Sequence, residues 1–169
     1  MHLSNGTILI STISLNNTFF ERSIVFIVEY NEKGALGFVI NKPFPRKLNE
    51  LTEFKQSKAL PLYEGGPVEN DKLFFIHQRA DLISNGVAVI DTIFWGGDFK
   101  QAITNINNDV FRTNDSKLFI GYCGWDQNEL EQEIEEGSWQ LCNIDPQIVF
   151  KTNVEMLWEE IHHDIKNKL

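Results

Sequence analysis

Five consecutive apolar residues, Ile24-Val25-Phe26-Ile27-Val28, constrain this chain more than any other stretch. A strand sends alternate side chains to opposite faces, so an unbroken apolar run must be buried on both. After Glu29-Tyr30 comes a polar stretch, Asn31-Glu32-Lys33-Gly34, and then Ala35-Leu36-Gly37-Phe38-Val39-Ile40-Asn41. Two apolar segments around a short polar loop ending in glycine predict a β-hairpin spanning Ser23 to Asn41. That hairpin should lie centrally, with a layer on each side. Gly34 is suited to a positive φ at the loop end, and Gly37 predicts a bulge or a close backbone approach.

The remaining elements follow from local signals. Thr7 to Ser11 reads as a strand, and Asn16-Asn17-Thr18 as a turn into Phe19-Phe20. Lys42-Pro43-Phe44-Pro45 ends the hairpin, because proline removes a ladder donor. Leu48, Leu51 and Phe54 suggest a short amphipathic helix. Glu64-Gly65-Gly66-Pro67 is a predicted turn, followed by strands over Leu73–His77, Val87–Ile90 and Ile93–Trp95, with Asn85-Gly86 as a turn. Phe99, Ala102, Ile103 and Ile106 recur with helical spacing behind a capping Asp98. Leu118 to Tyr122 reads as a strand. Asp126 with Glu129 opens a second helix that should stop at Gly137. A last helix, over about 153–167, is expected to begin at the capping box Thr152-Asn153-Val154-Glu155 and to carry the stripe Val154, Leu157, Trp158, Ile161, Ile165. Strands come in hairpin-like pairs and helices are irregularly interspersed. The predicted class is therefore α+β, a mainly antiparallel, coiled or bifurcated sheet with about four helices. Residues 1–169 are read as a single domain, with the C-terminal helix packing as an appendage.

Charge bounds the function. Residues 1–120 hold 13 acids and 12 bases, whereas residues 121–169 hold 11 and 3, which accounts for most of the net charge of −9. An acidic last third on a near-neutral body opposes binding to phosphate backbones or anionic lipid. A basic patch of Lys42, Arg46, Lys47, Lys55 and Lys58 is diluted by Glu50 and Glu53 and lacks interleaved aromatics. Two cysteines, Cys123 and Cys142, are too few for a disulfide framework. No apolar run reaches the roughly 18 residues a membrane helix needs, so a cytoplasmic protein with no membrane contact is the expectation.

Candidate chemistry centres on Gly121-Tyr122-Cys123-Gly124-Trp125-Asp126, read as a strand turning through glycines into a capped helix. A thiol near a helix N-terminus can become a nucleophile, with His77 as the available base. The nucleophile elbow needs a second glycine where Trp125 stands, and a small buried cysteine filling space is the better reading. Glu64-Gly65-Gly66-Pro67 and Trp95-Gly96-Gly97-Asp98 match neither a dinucleotide-binding nor a P-loop pattern. His162 and His163 are adjacent, so on a helix they diverge by about 100° and share no metal shell. The acids from Glu129 to Glu136 read as a solvated face. Neither metal nor cofactor is expected.

Several stretches taken together resemble the YqgE/AlgH family of small bacterial proteins. They are Phe20-Glu21-Arg22-Ser23, the run Asn31 to Pro43, Tyr63-Glu64-Gly65-Gly66-Pro67-Val68, Gly121-Tyr122-Cys123-Gly124-Trp125 with Leu130-Glu131, and Trp139 with Asp145-Pro146. The similarity runs from about Thr7 to Phe150. It implies an α+β fold with coiled, partly bifurcated sheets, and a label of candidate transcriptional regulator. It implies no established reaction, cofactor or catalytic residue. Cys123 stands where the family usually has a small residue such as alanine.

The expected function is a non-enzymatic regulatory or binding module with a small ligand or protein partner. Its candidate surface is Tyr63, Gly65, Gly66, Tyr122, Gly124 and Trp125, gathered around one concavity. The competing readings are a thiol-dependent hydrolase using Cys123 and His77, and a direct DNA-binding regulator, which the charge opposes.

Overall fold

A computed structural model describes residues 1–169. Its nine strands are β1 (Ile8–Ser11), β2 (Ile24–Asn31), β3 (Gly34–Val39), β4 (Leu62–Glu64), β5 (Val68–His77), β6 (Val87–Ile90), β7 (Ile93–Trp95), β8 (Ser116–Asp126) and β9 (Trp139–Cys142). Three α-helices accompany them: α1 (Phe99–Asn107), α2 (Glu129–Glu135) and α3 (Leu157–Asn167). The strands form one sheet in the order β6-β7-β5-β8-β3-β2-β1-β9, with β4 set beside β8. Only the β4–β8 pair is parallel. The α+β, mainly antiparallel expectation is the architecture observed.

The apolar run of β2 does what its composition demands. Ile24 through Val28 have no measurable exposure. Ile24, Phe26 and Val28 point into the largest cluster with Ile8, Ile10 and Phe38. Val25 and Ile27 point the other way, onto Leu9, Val39, Trp139 and Leu130. The hairpin is tighter than the polar stretch suggests: Asn31 pairs with Gly34, leaving only Glu32 and Lys33 as the turn. A bulge at Val28 lies across from Gly37, whose missing Cβ would stand 2.8 Å from the Phe26 carbonyl oxygen.

Each face has its own cover. One carries the largest cluster, roofed by Val149 and Phe150 of a 3₁₀ turn (Pro146–Phe150) and by Val154, Leu157 and Ile161. The other divides into two smaller clusters, one under α2 and one under α1 and the Leu48–Phe54 segment. α3 packs Leu157 and Ile161 into the main core, with Trp158 and Ile165 against it. Its Trp158 indole also donates 3.1 Å to the Ser11 carbonyl.

Three helical expectations need correction. Leu48–Phe54 forms two 3₁₀ turns, because seven residues cannot recover the cost of nucleating an α-helix. α3 starts at Leu157, not at Thr152. The carbonyls of Lys151 and Thr152 are taken by the Lys117 ammonium and the Tyr63 hydroxyl, tertiary bonds that override the capping signal. α2 starts at Glu129 after a left-handed Asn128, although the Asp126 N–H donates 2.8 Å to the Glu129 carboxylate as a capping box would have it.

β8 is the strand that forks the sheet. β5 flanks one edge; on the other, β4 pairs with Leu118–Ile120 and β3 with Cys123–Asp126. A regular strand would put Phe119, Cys123 and Trp125 on one face. Phe119 instead lies in the largest cluster, and Cys123 and Trp125 lie on the opposite side. Gly121, with φ +74°, makes the change of face. Across from it, β5 passes from Leu73 to Val68 while β8 advances only from Ile120 to Tyr122.

Candidate functional site

The glycines singled out by sequence are the hinge of that fork. The Gly65 N–H donates to the Ile120 carbonyl at 2.8 Å, and its carbonyl accepts from the Val39 N–H at 2.8 Å, so Gly65 stands between β3 and β8. A Cβ on Gly66 would lie 2.0 Å from the Tyr122 carbonyl carbon, and one on Gly121 would lie 2.2 Å from the Gly66 oxygen. Backbone touches backbone here, which only glycine allows. Nothing is left for a ligand to fill.

Cys123 is sealed into this junction. It lies within β8, not at a strand-to-helix turn, and is 1% exposed. Its thiol donates to the Gly65 carbonyl at 3.3 Å, and burial pushes its pKa up to about 12. His77 pairs with Ser116 at the far end of the same strand. Seven strand residues at about 3.3 Å each separate the two by roughly 20 Å. The imidazole is fully buried: Nδ1 accepts from the Arg79 N–H at 3.1 Å and Nε2–H donates to the Gly96 carbonyl at 3.2 Å. Burial lowers its pKa, holding it neutral. A thiol–imidazole pair is therefore geometrically impossible here, and the hydrolase reading is corrected.

The six candidate surface residues do not share a concavity. Tyr63 and Tyr122 pack toward the largest cluster, Gly65 and Gly66 are spent on the fork, Gly124 is exposed on β8 across from Leu36, and Trp125 is 7% exposed on the opposite face. The Trp125 and Trp139 indoles, edge to face at 6.2 Å, both donate to Glu133 Oε2, at 2.9 and 2.8 Å. Glu131 accepts from the Tyr30 hydroxyl. The α2 acids are thus partly committed inward, which corrects their reading as a solvated face.

The feature that stands out lies at the other end of β8. Lys117 is 4% exposed, and no carboxylate pairs with it. Its ammonium donates to the Ile40 carbonyl at 2.7 Å and to the Lys151 carbonyl at 2.8 Å, and sits 4.0 Å from the centre of the Tyr63 ring. Burial lowers its pKa to about 7. Beside it opens a cavity of about 210 Å³ whose lining includes the apolar Leu60, Ile106, Phe111, Leu118 and Phe150. Tyr63, Ser116, Thr152 and the guanidinium-bearing Arg112 also line it. Tyr63 is the one member of the sequence-based set placed here. The sequence does carry a signal for Lys117: a single cation directly precedes the apolar run Leu118-Phe119-Ile120, in a strand buried on both faces.

No group of three or more His, Cys, Asp or Glu side chains is arranged to hold a metal ion. No helix is long and apolar enough to cross a membrane.

Comparison with known proteins agrees with this architecture. The AlgH-like family model matches residues 8–169. A UPF0301 protein of Chlorobium limicola is 36% identical over 156 residues, covering 92% of this chain and 83% of that protein. A UPF0301 protein of Cytophaga hutchinsonii is likewise 36% identical, over 160 residues, with 94% and 88% covered. The solution structure of the AlgH protein from Pseudomonas aeruginosa superposes with a TM-score of 0.77 at 23% identity, covering 98% of this chain and 93% of that one. A crystal structure from Corynebacterium diphtheriae gives 0.76 at 19%, covering 97% and 88%. The fold is shared and the relatedness extends along nearly the whole sequence: the chain belongs to the AlgH-like family.

Proposed function

We propose that this protein is a non-enzymatic binding module whose ligand occupies the cavity beside Lys117. One observation carries the reading: a buried lysine with no carboxylate partner is among the residues lining a largely apolar hollow. Desolvating a cation is expensive unless something compensates, so such a group is rarely retained for packing alone. The burial of Cys123 and its distance from His77 support binding over catalysis. The hollow touches four segments at once: β4, β8, the end of α1 with the turn that follows, and the 3₁₀ turn leading toward α3. Filling it would therefore tie together the covers of both faces. A regulatory role would then run through a ligand-stabilised surface offered to a protein partner, and the acidic last third argues against direct contact with DNA.

The test is a titration of the isotope-labelled protein with small ring compounds, both neutral and charged. Saturable chemical-shift changes at Tyr63, Ser116 and Thr152 are the expected result. Absence of binding by every such probe at millimolar concentration would contradict the proposal, as would retardation of DNA fragments by the isolated protein at low salt.

A further inference from the structure

We infer that the Lys117 cavity selects a small amphipathic anion: one ring-sized apolar body bearing a single carboxylate or phosphate. This rests on the reading of the cavity as a binding site and adds the class of ligand. Around the hollow stand three cations, Lys58, Arg112 and Lys117, and one carboxylate, Asp109, in a chain whose net charge is −9. Lys58 is neutralised by Asp109. Arg112 enters no ion pair: of the two carboxylates three residues away, Asp109 pairs with Lys58, and Asp115 takes the Arg112 backbone N–H and the Arg79 guanidinium. Below about pH 7 the cavity is thus left with two positive charges that no carboxylate pairs, one of them buried. Carbonyl oxygens and the Tyr63 ring satisfy the geometry of the Lys117 ammonium without neutralising it. An anion lodged between Lys117 and Arg112 would supply the missing charge, and the planar guanidinium suits carboxylate and phosphate alike.

Size and lining define the rest of the ligand. An apolar void of about 150 Å³ accepts benzene, so about 210 Å³ accommodates one ring with one substituent. Leu60, Ile106, Phe111, Leu118 and Phe150 offer the body only apolar contact.

The experiment compares four probes by calorimetry and chemical-shift titration: benzoate, phenyl phosphate, benzyl alcohol and inorganic phosphate. The expected result is that benzoate or phenyl phosphate binds at least tenfold more tightly than benzyl alcohol, with inorganic phosphate weakest for want of apolar contact. Which of the two anions wins identifies the head group. Lys117→Met should remove that tenfold preference and leave benzyl alcohol unchanged. Arg112→Gln, at an exposed position, should weaken the anion several-fold without disturbing the fold, and serves if the Lys117 variant does not fold.

Benzoate affinity should also fall as pH rises from 6 to 8.5, because Lys117 discharges near 7 while benzoate keeps its single charge. The other charged or titratable groups around it are Tyr63, raised by burial, Arg112, the Lys58–Asp109 pair, and Lys151, whose ammonium lies 3.9 Å from Glu160. None of these is expected to mimic that profile. Equal affinity for benzoate and benzyl alcohol would overturn the anion inference while leaving the cavity a binding site. Failure of all four probes would remove both.

Discussion

The two halves of β8 lie on one strand and do opposite things. Beyond Gly121, toward Asp126, the strand is closed by contact: Gly65, Gly66 and Gly121 bring backbones together, and Cys123, Trp125 and Trp139 fill what remains. Before Gly121, toward Ser116, the same strand is flanked by β4 and β5 but carries a lysine where an apolar residue would pack. There the core is left with a hollow. The contrast separates two reasons for a sequence motif to be conspicuous. Glycine-rich stretches and an isolated cysteine mark the tightest backbone packing, whereas the capacity to hold a ligand sits at an unobtrusive Ser-Lys dipeptide.

Substitutions can break or sharpen this contrast. The largest effect is expected in the closed half. Trp125→Ala should cost about 3–5 kcal/mol in urea unfolding, since it deletes a buried aromatic and removes one of two indole donors to Glu133. A loss below about 1 kcal/mol would mean that the closed half is looser than described. Gly66→Ala should cost about 3 kcal/mol or more, because its Cβ would meet the Tyr122 backbone and neither strand can yield without parting the fork.

A smaller effect is expected from the open half, and it depends on pH. The folded pKa of Lys117, about 7, lies below its unfolded value, so between these the unfolded chain binds more protons. Stability should therefore rise with pH above 7, by at most about 1.4 kcal/mol per unit. The raised thiol pKa values of Cys123 and Cys142 act in the opposite sense only above about 9. Lys42, also lowered by burial, acts in the same sense as Lys117, so the Lys117 share is the part lost when Lys117 is substituted. Lys117→Met should flatten the rise. The smallest effect is none at all: native Cys123 should not react with iodoacetamide at pH 8, and its rapid alkylation would show the fork to be open.

Much of the fold could be read from patterns of periodicity. The double burial of Ile24–Val28 follows directly from the unbroken apolar run, and α1 follows from its spacing and its Asp98 cap, which accepts from the Gln101 N–H at 3.0 Å. What could not be read was set by partners distant in sequence. Thr152 looks like a helix cap until the Tyr63 hydroxyl, 89 residues earlier, takes its carbonyl. Gly121 looks like a turn until β3, β4 and β5 converge on β8 and hold it within a strand. Of the site, only Tyr63 was anticipated. Lys117 was missed because a lone lysine beside an apolar strand normally reaches solvent; here the end of β3 and the residue after the 3₁₀ turn supply carbonyls that hold it inside.

The account turns on which half of β8 receives a ligand, and a residue-by-residue chemical-shift map recorded during a benzoate titration decides it most directly. The predicted map has its largest changes at Tyr63, Ser116, Lys117 and Thr152, with Gly65, Gly66, Cys123 and Trp125 unmoved. A map centred on the glycine fork, or one with no saturable change around Lys117, would contradict it.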